Sequence, residues 1–224
     1  MSQPTTNPQS LKPFFIGLAL LSVITAILVG LYSVKRQQVS STNTQQSDQP
    51  DPLIQLPRFM LTDKAGNSFT SDQLMGKVWI ADFVFTRCQG PCPMITLQMA
   101  KTENKLKQRS DWDQIRLVSF TVDPDYDTPK VLTEHAQRVS VSTSNWLWLT
   151  GPRNQMWDLI NNGFKLMVGT NDIVGDDPGH GLINHSTKFV LVDRKLRTRG
   201  YYNALDSEDV AKLYRDLQIV LDEE

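Results

Sequence analysis

Two cysteines, Cys88 and Cys92, are the only thiols in the 224-residue chain, and three residues separate them in the stretch FVFTRCQGPCPMIT. Thiols at this spacing support three kinds of chemistry. They form a structural disulfide in an oxidising compartment, they exchange electrons with another disulfide, or they bind a soft metal such as Cu(I) as thiolates. Structural zinc is disfavoured, because it uses four protein ligands.

Each of the three interpretations has a physical weakness or a further requirement. A disulfide that closes so short a loop removes little entropy from the unfolded chain, so a purely stabilising role is weak. Thiol-disulfide exchange normally uses two intervening residues rather than three. A copper site needs a third ligand, and a neutral imidazole would complete a three-coordinate site that also accepts Cu(II). The spacing alone leaves all three open.

The chain has three histidines that could supply an imidazole: His135, His180 and His185. His135 lies within a predicted helix and is expected to face solvent. His180 lies in the loop GDDPGHGL and is expected to be a surface residue. His185 opens the predicted strand HSTKFVLVD, so it could lie at the same sheet edge as the cysteines if the two strands are neighbours. His185 is therefore the strongest candidate by position.

The elements around the cysteines predict a strand-to-helix junction. VWIADFVF is a continuous apolar run with one polar interruption, which is typical of a strand buried on both faces. The segment PCPMITLQMAKTENKLKQ opens with proline, which suits a first helical turn. If this helix includes both cysteines, their Cβ atoms lie about 5–6 Å apart on one face. The positive end of the helix dipole would then favour thiolate over thiol.

The rest of the sequence predicts alternating strands and helices. The further predicted strands are IRLVSFTV, WLWLT, KLMVG, HSTKFVLVD and RTRGYYN, after an N-terminal hairpin in RFMLTDKAGNSFT. Helices are predicted in DTPKVLTEHAQRV, PRNQMWDLINNGF and SEDVAKLYRDLQIVLDE. This order predicts an α/β fold, a thioredoxin-like three-layer sandwich with a central mixed sheet. Met94 and Met99, although close to the cysteines, are expected to be core residues.

The N-terminal quarter is predicted to lie outside the folded domain. Residues 14–34 carry no charge and, at about 1.5 Å per residue, are long enough to span a bilayer core as one transmembrane helix. We expect residues 1–13 to form a short cytoplasmic tail, 35–55 a flexible polar linker, and 56–224 the folded domain. The net charge of −1 and the lack of a basic cluster make nucleic acid an unlikely partner class.

Three motifs in this order resemble a known family. FTRCQGPCP, TVDPDYDTP and INHSTKFVLVD are similar to segments of the Sco/SenC family of membrane-anchored, thioredoxin-like copper proteins, which help to assemble the CuA centre of cytochrome c oxidase. The resemblance runs from about Leu56 to Leu221. It implies that Cys88, Cys92 and His185 hold one copper ion, Cu(I) or Cu(II), and that the cysteines also cycle as a redox pair.

The resemblance also implies a location and partners. The domain would face the periplasm from the bacterial inner membrane and would meet the oxidase subunit that carries CuA, together with other periplasmic copper or thiol carriers. Asp123 matches an acidic position near the site, where it either supports the ligands or simply forms a turn. Gln89 and Asn184 stand where many relatives have proline and aspartate, so the affinity of the site for copper could differ.

The function predicted from the sequence is delivery of copper to CuA, or reduction of the CuA cysteines. The alternative is a thiol-disulfide oxidoreductase or thiol peroxidase of the thioredoxin-like class, for which His185 would be dispensable. A third possibility is a binding module with a purely structural disulfide.

Overall fold

The computed structural model describes residues 52–88, 90–139, 144–170, 183–184 and 186–223. These residues contain ten strands: β1 (Ile54–Gln55), β2 (Met60–Asp63), β3 (Ser68–Thr70), β4 (Val78–Val84), β5 (Ile115–Thr121), β6 (Trp146–Thr150), β7 (Gly169–Thr170), β8 (Ile183–Asn184), β9 (Lys188–Val192) and β10 (Arg197–Asn203). They also contain four α-helices: α1 (Cys92–Leu106), α2 (Pro129–Val139), α3 (Arg153–Asp158) and α4 (Ser207–Asp222).

Eight of these strands form one mixed sheet in the order β1-β10-β9-β4-β5-β6-β2-β3. β4, β5 and β6 are parallel, whereas β9 runs antiparallel to β4 and to β10. Because β9 and β4 run in opposite directions, the start of β9 lies at the edge where β4 ends. β7 and β8 pair separately.

Strand β4 lies in the middle of the sheet, and all seven of its residues are buried. Ile80 and Val84 belong to a core cluster that α1, α2 and α4 complete on one face of the sheet. Trp79 and Phe83 point to the other face, where α3 and the turn after it close a second cluster. There the ring of Phe83 meets that of Phe164 edge to face, with centroids 5.0 Å apart. The chain therefore has the predicted three layers.

The two helices nearest the end of β4 begin at well-defined signals. α1 starts directly after Pro91 and buries Ile95 and Met99, which are four residues apart on one face. α4 starts after the N-cap Asp206, whose carboxyl group accepts hydrogen bonds from the backbone N–H groups of Glu208 and Asp209. The cap satisfies donors that no helical carbonyl can reach.

Most predicted strands are present, with shifted ends. Of the strand predicted in KLMVG, only Gly169 lies in a strand, because β7 covers Gly169–Thr170. The strand predicted to open at His185 begins at Lys188. Pairing starts at Ile54, two residues before the predicted start of the domain. The predicted tail, the transmembrane segment and most of the linker lie outside the described residues. Among the residues that are described, no helix has the length and apolar character needed to cross a bilayer.

Candidate metal and redox site

The cysteine pair lies at the junction between β4 and α1, as the sequence predicts. Cys92 is the first residue of α1. Cys88 precedes the helix and lies in a turn, where its backbone N–H donates to the carbonyl of Phe85 at 3.3 Å. The condition considered from the sequence, that one helix includes both cysteines, is therefore not met. Pro91 occupies the N-cap, and its missing N–H and fixed φ suit the start of a helix rather than its interior.

The side chains of the two cysteines interact with one another. Cys92 is buried, with 3% of its surface exposed, and Cys88 is half-buried. The backbone N–H of Gly90 donates to the Cys88 sulfur at 3.3 Å. Cys88 is thus the more exposed of the two cysteines, so an incoming partner meets Cys88 first.

Burial dominates the electrostatics of the inner cysteine. It raises the pKa of the Cys92 thiol well above its ordinary value, and the neighbouring Cys88 and the more distant Asp82 add to the increase. A hydrogen bond with the Phe85 backbone opposes it only in part. The expectation that the start of the helix favours thiolate is therefore wrong for Cys92 in the metal-free dithiol, because desolvation outweighs the helix dipole.

A buried carboxylate, Asp127, ties the cysteine loop to the loop that follows β5. It accepts hydrogen bonds from the backbone N–H of Thr86 at 3.1 Å and from the Thr86 hydroxyl at 2.5 Å. The hydroxyl of Thr121 donates to the same carboxyl group at 2.5 Å. Burial raises the pKa of Asp127, and the hydrogen bonds from Thr121 and Thr86 oppose this shift. Asp127 therefore fixes the backbone two residues before Cys88.

Asp123 makes a second connection to the same loop. Its Oδ2 accepts from Arg87 Nε at 2.6 Å, and the Arg87 guanidinium lies over the ring of Tyr126, 4.8 Å from its centroid. The Asp123 backbone carbonyl also accepts from the N–H groups of Tyr126 and Asp127. Asp123 thus forms a turn, as considered from the sequence, and holds the residue next to Cys88, while its support of the copper ligands stays a prediction.

We predict that Asp127→Ala destabilises the reduced, copper-free domain by about 1–3 kcal/mol. The substitution leaves the Thr86 N–H and the hydroxyls of Thr86 and Thr121 without their acceptor, and a buried donor without a partner costs about that much. Urea unfolding at neutral pH measures the change. The exposed Asp113 provides the control, because Asp113→Ala removes a carboxylate that has no such role. Equal stability of the two variants would contradict the assigned connection.

Asp82 is the polar interruption in β4, and it lies beneath the cysteines. It is fully buried, and neither carboxyl oxygen has a hydrogen-bond partner among the described residues. Ser119 is its neighbour in β5, but the Ser119 hydroxyl accepts from Trp146 Nε1 at 2.9 Å. Burial raises the pKa of Asp82 to about 7, and the nearby Ser119 offsets only part of the shift. The site therefore contains a carboxyl group that resists ionisation.

His185 and His180 both lie outside the described residues, so their side chains have no structural account. What the structure does describe is the register of β9 against β4, in which Ala81 pairs with Val190. This register brings the start of β9, just after His185, to the sheet edge that carries the cysteines. Within the described part of the chain, no three His, Cys, Asp or Glu side chains converge as a metal-binding group.

Two of the remaining histidine and methionine residues considered from the sequence differ from expectation in their burial. His135 is half-buried rather than solvent-facing, because its ring packs edge to face on Trp148 at 5.3 Å, and burial lowers its pKa. Met99 is a core residue as predicted, but Met94 is 56% exposed. Sequence reasoning missed Thr86 and Asp127, and the only signal for them was the repeated aspartate in DPDYD.

A family model described as SCO1/SenC matches residues 47–221, well over half of the chain. The chain belongs to the SCO1/SenC family. Among curated relatives, the SCO1 protein homolog of Bacillus subtilis (strain 168) is 30% identical over 170 residues, which cover 75% of this chain and 84% of that protein.

Solved structures of Sco proteins share this fold. A SCO1/SenC family lipoprotein from Bacillus anthracis str. Ames has a TM-score of 0.69 at 32% identity, covering 78% of this chain and 99% of that one. BsSco, described as a Sco-family cytochrome c oxidase assembly protein with a disulfide switch, gives 0.64 at 29% identity, covering 78% and 98%. Yeast Sco1 with copper bound gives 0.60 at 25% identity, covering 74% and 90%. The predicted thioredoxin-like α/β fold is therefore confirmed.

Proposed function

We propose that this SCO1/SenC protein is a membrane-anchored copper-binding protein that delivers copper to the CuA site of cytochrome c oxidase, or reduces the cysteines of that site. The observation that carries the proposal is that two cysteines interact with each other at the end of the central strand. The relatives support it: one is described as an oxidase assembly protein with a disulfide switch, and another as a copper-bound protein.

The donor set fits copper. Two sulfurs that interact with each other suit the soft Cu(I) ion, and an imidazole would complete a three-coordinate site that also accepts Cu(II). We assign these roles to Cys88, Cys92 and His185. The register of β9 against β4 supports the choice of His185, because β9 begins only three residues after His185 and its start lies beside the end of β4. When bound, copper would stabilise both cysteines as thiolates.

The same pair suits reduction of a partner disulfide. Cys88 is the accessible sulfur, so its thiolate would attack one sulfur of the partner and release the other as a thiolate, which gives a mixed disulfide. Cys92 would then lose its proton and attack Cys88, so the partner leaves as a dithiol. This chain would keep a Cys88–Cys92 disulfide, which a periplasmic thiol carrier must reduce with two electrons.

The proposed location follows from the N-terminal sequence. Residues 1–13 would stay in the cytoplasm, 14–34 would cross the inner membrane of a bacterium, and 35–55 would link the anchor to a periplasmic domain. A flexible linker of this length has an end-to-end distance of roughly 25 Å. The domain could therefore approach a membrane-bound oxidase subunit without leaving the anchor.

The proposal is tested in a strain that lacks the gene, assayed for cytochrome c oxidase activity with and without added copper. We expect the full chain to appear in the membrane fraction and to restore activity at low copper. Cys88→Ser should fail, because both proposed activities need this sulfur. Restoration of wild-type oxidase activity by Cys88→Ser would rule out the proposed function.

Histidine variants in the same strain separate the two activities. Copper delivery requires the third ligand, so His185→Ala should fail at low copper, whereas reduction of a disulfide should survive the change. His135→Ala is the matched control, because the His135 ring packs on Trp148 and, within the described residues, His135 forms no metal-binding group with the cysteines. Rapid turnover of peroxide or of a model disulfide by the wild type, independent of His185, would instead favour the alternative of a thiol peroxidase or oxidoreductase.

A further inference from the structure

A groove with a cavity volume of about 790 Å³ lies between α1 and α4. Its α1 wall includes Met94 and Leu97, and its α4 wall includes Val210 and Tyr214, with Leu205 at one end. Met94, Leu97 and Leu205 are 56%, 47% and 49% exposed. Large apolar side chains left open together, rather than singly, mark a surface that contacts another molecule.

The rim of the groove is basic. Lys101 and Lys105 line it from α1 and Arg215 lines it from α4, against a single carboxylate, Asp206. That carboxylate is already engaged as the N-cap of α4. Lys105 lies over the ring of Tyr214, 3.9 Å from its centroid, and within the described part of the chain none of these three cations forms an ion pair. The occupant should therefore carry negative charge beside its apolar groups.

The groove runs away from the cysteine pair along α1. Met94 is two residues after Cys92, and Lys105 lies near the other end of the helix. At 1.5 Å per residue, the α1 wall from Met94 to Lys105 is about 16 Å long. This length matches about three turns of a helix. A segment bound there would hold whatever adjoins it next to the accessible sulfur of Cys88.

Other occupants fit less well. Residues 37–50 of the linker, QQVSSTNTQQSDQP, offer only one apolar side chain, Val39, and the backbones of Leu53 and Ile54 are already paired with β10. A second copy would bring two basic rims together, and like charges repel. An anionic bilayer is flat, so it would bind protruding apolar residues better than a concave groove. A short segment of another protein satisfies both the shape and the charge.

We propose that the α1–α4 groove docks an acidic, amphipathic segment of a partner protein, with its apolar side chains on Leu97 and Leu205 and its carboxylates beside Lys101 and Arg215. Binding of this segment to the groove does not depend on copper. The role of docking is to hold a partner's cysteines next to Cys88, and this role rests on the proposed function. Recognition would thus be separate from the chemistry at the thiols.

The test uses synthetic helical peptides as probes with the reduced domain. One carries leucines three and four residues apart with glutamates elsewhere, and its match has lysine in place of each glutamate. We expect the acidic peptide to bind with a dissociation constant tighter than about 1 mM and to shift the NMR signals of α1 and α4. The basic peptide should bind at least about 10-fold more weakly. Equal binding of both peptides, or no binding of either, would overturn the proposal.

Variants locate the binding. The double variant Lys101→Glu/Arg215→Glu should weaken the acidic peptide by at least about 10-fold, whereas Lys130→Glu, on the exposed part of α2, should leave binding within about 2-fold. Two further measurements test the other occupants. Vesicles rich in phosphatidylglycerol test binding to an anionic bilayer, and sedimentation of the domain alone tests dimer formation. The proposal would also be overturned if vesicles, but not the acidic peptide, shifted the NMR signals of the groove. A dimer that Leu97→Ser dissociates would overturn it as well.

Copper affinity separates this inference from the proposed function. The groove variant should bind Cu(I) as tightly as the wild type, because no groove residue is a proposed ligand. If the wild type binds the acidic peptide but not copper, the function fails and the docking site survives. If it binds copper but not the peptide, the docking site fails alone.

Discussion

Cys88→Ser is expected to lower the affinity of the reduced domain for Cu(I) by more than about 100-fold. Loss of an outer hydrogen-bond partner of a metal ligand already costs about 10- to 100-fold in affinity. Loss of a sulfur ligand should cost more, because serine offers a hard oxygen in place of a soft donor. Competition with a chelator of known Cu(I) affinity, under anaerobic conditions, measures the change.

Two controls accompany this measurement. Met94 presents an exposed sulfur two residues from Cys92, so Met94→Leu tests whether a thioether contributes, and we expect no change. His135→Ala should also bind copper as the wild type does. If Cys88→Ser retains wild-type affinity, or if Met94→Leu loses as much, the assignment of the two thiolates as ligands is wrong.

Asp82→Asn is expected to stabilise the copper-free domain by about 4 kcal/mol above neutral pH. The folded state holds the Asp82 carboxyl group at a pKa of about 7, against 3.8 for an ordinary aspartate, because burial penalises the charge. An amide has nearly the same shape and carries no charge to desolvate. At high pH the wild type is less stable, because the Asp82 carboxyl group is ionised in the unfolded state and its charge is unfavourable in the folded state. The substitution removes this loss of stability.

The sign of the pH dependence follows from proton binding. Between the two pKa values the folded state binds the Asp82 proton and the unfolded state does not, so wild-type stability falls as pH rises. The advantage of Asp82→Asn should be near zero at about pH 4, grow to about pH 7 and then stay constant. Urea unfolding across this range measures it, with the exposed Asp113→Asn as control. An advantage independent of pH would contradict the buried acid.

The fold was predictable because its signals are local. The apolar run of β4 and the proline before α1 placed the cysteines at a strand-to-helix junction, and three short motifs identified the family. The polar residue inside β4, Asp82, was visible too. Its burial without a hydrogen-bond partner among the described residues depends on how α1 covers the sheet. Sequence periodicity carries no such information.

The predictions that failed depend on contacts between distant segments. Thr86 and Asp127 are 41 residues apart, and the repeated aspartate in DPDYD does not indicate that Asp127 meets Thr86. Met94 was expected in the core because it lies on an apolar helix, but it faces the groove that α4 forms with α1. The effect of the helix dipole on Cys92 was overestimated, because the dipole is local while burial depends on the whole domain. The role of His185 stays a prediction.

The central claim is that Cys88, Cys92 and His185 bind one copper ion together. X-ray absorption spectroscopy of the Cu(I)-loaded domain tests it most directly, because it counts sulfur and nitrogen neighbours of the metal. The account predicts two sulfurs and one imidazole nitrogen in the wild type, and loss of the nitrogen in His185→Ala but not in His135→Ala. A spectrum with sulfur neighbours alone, or one that His185→Ala leaves unchanged, would contradict it.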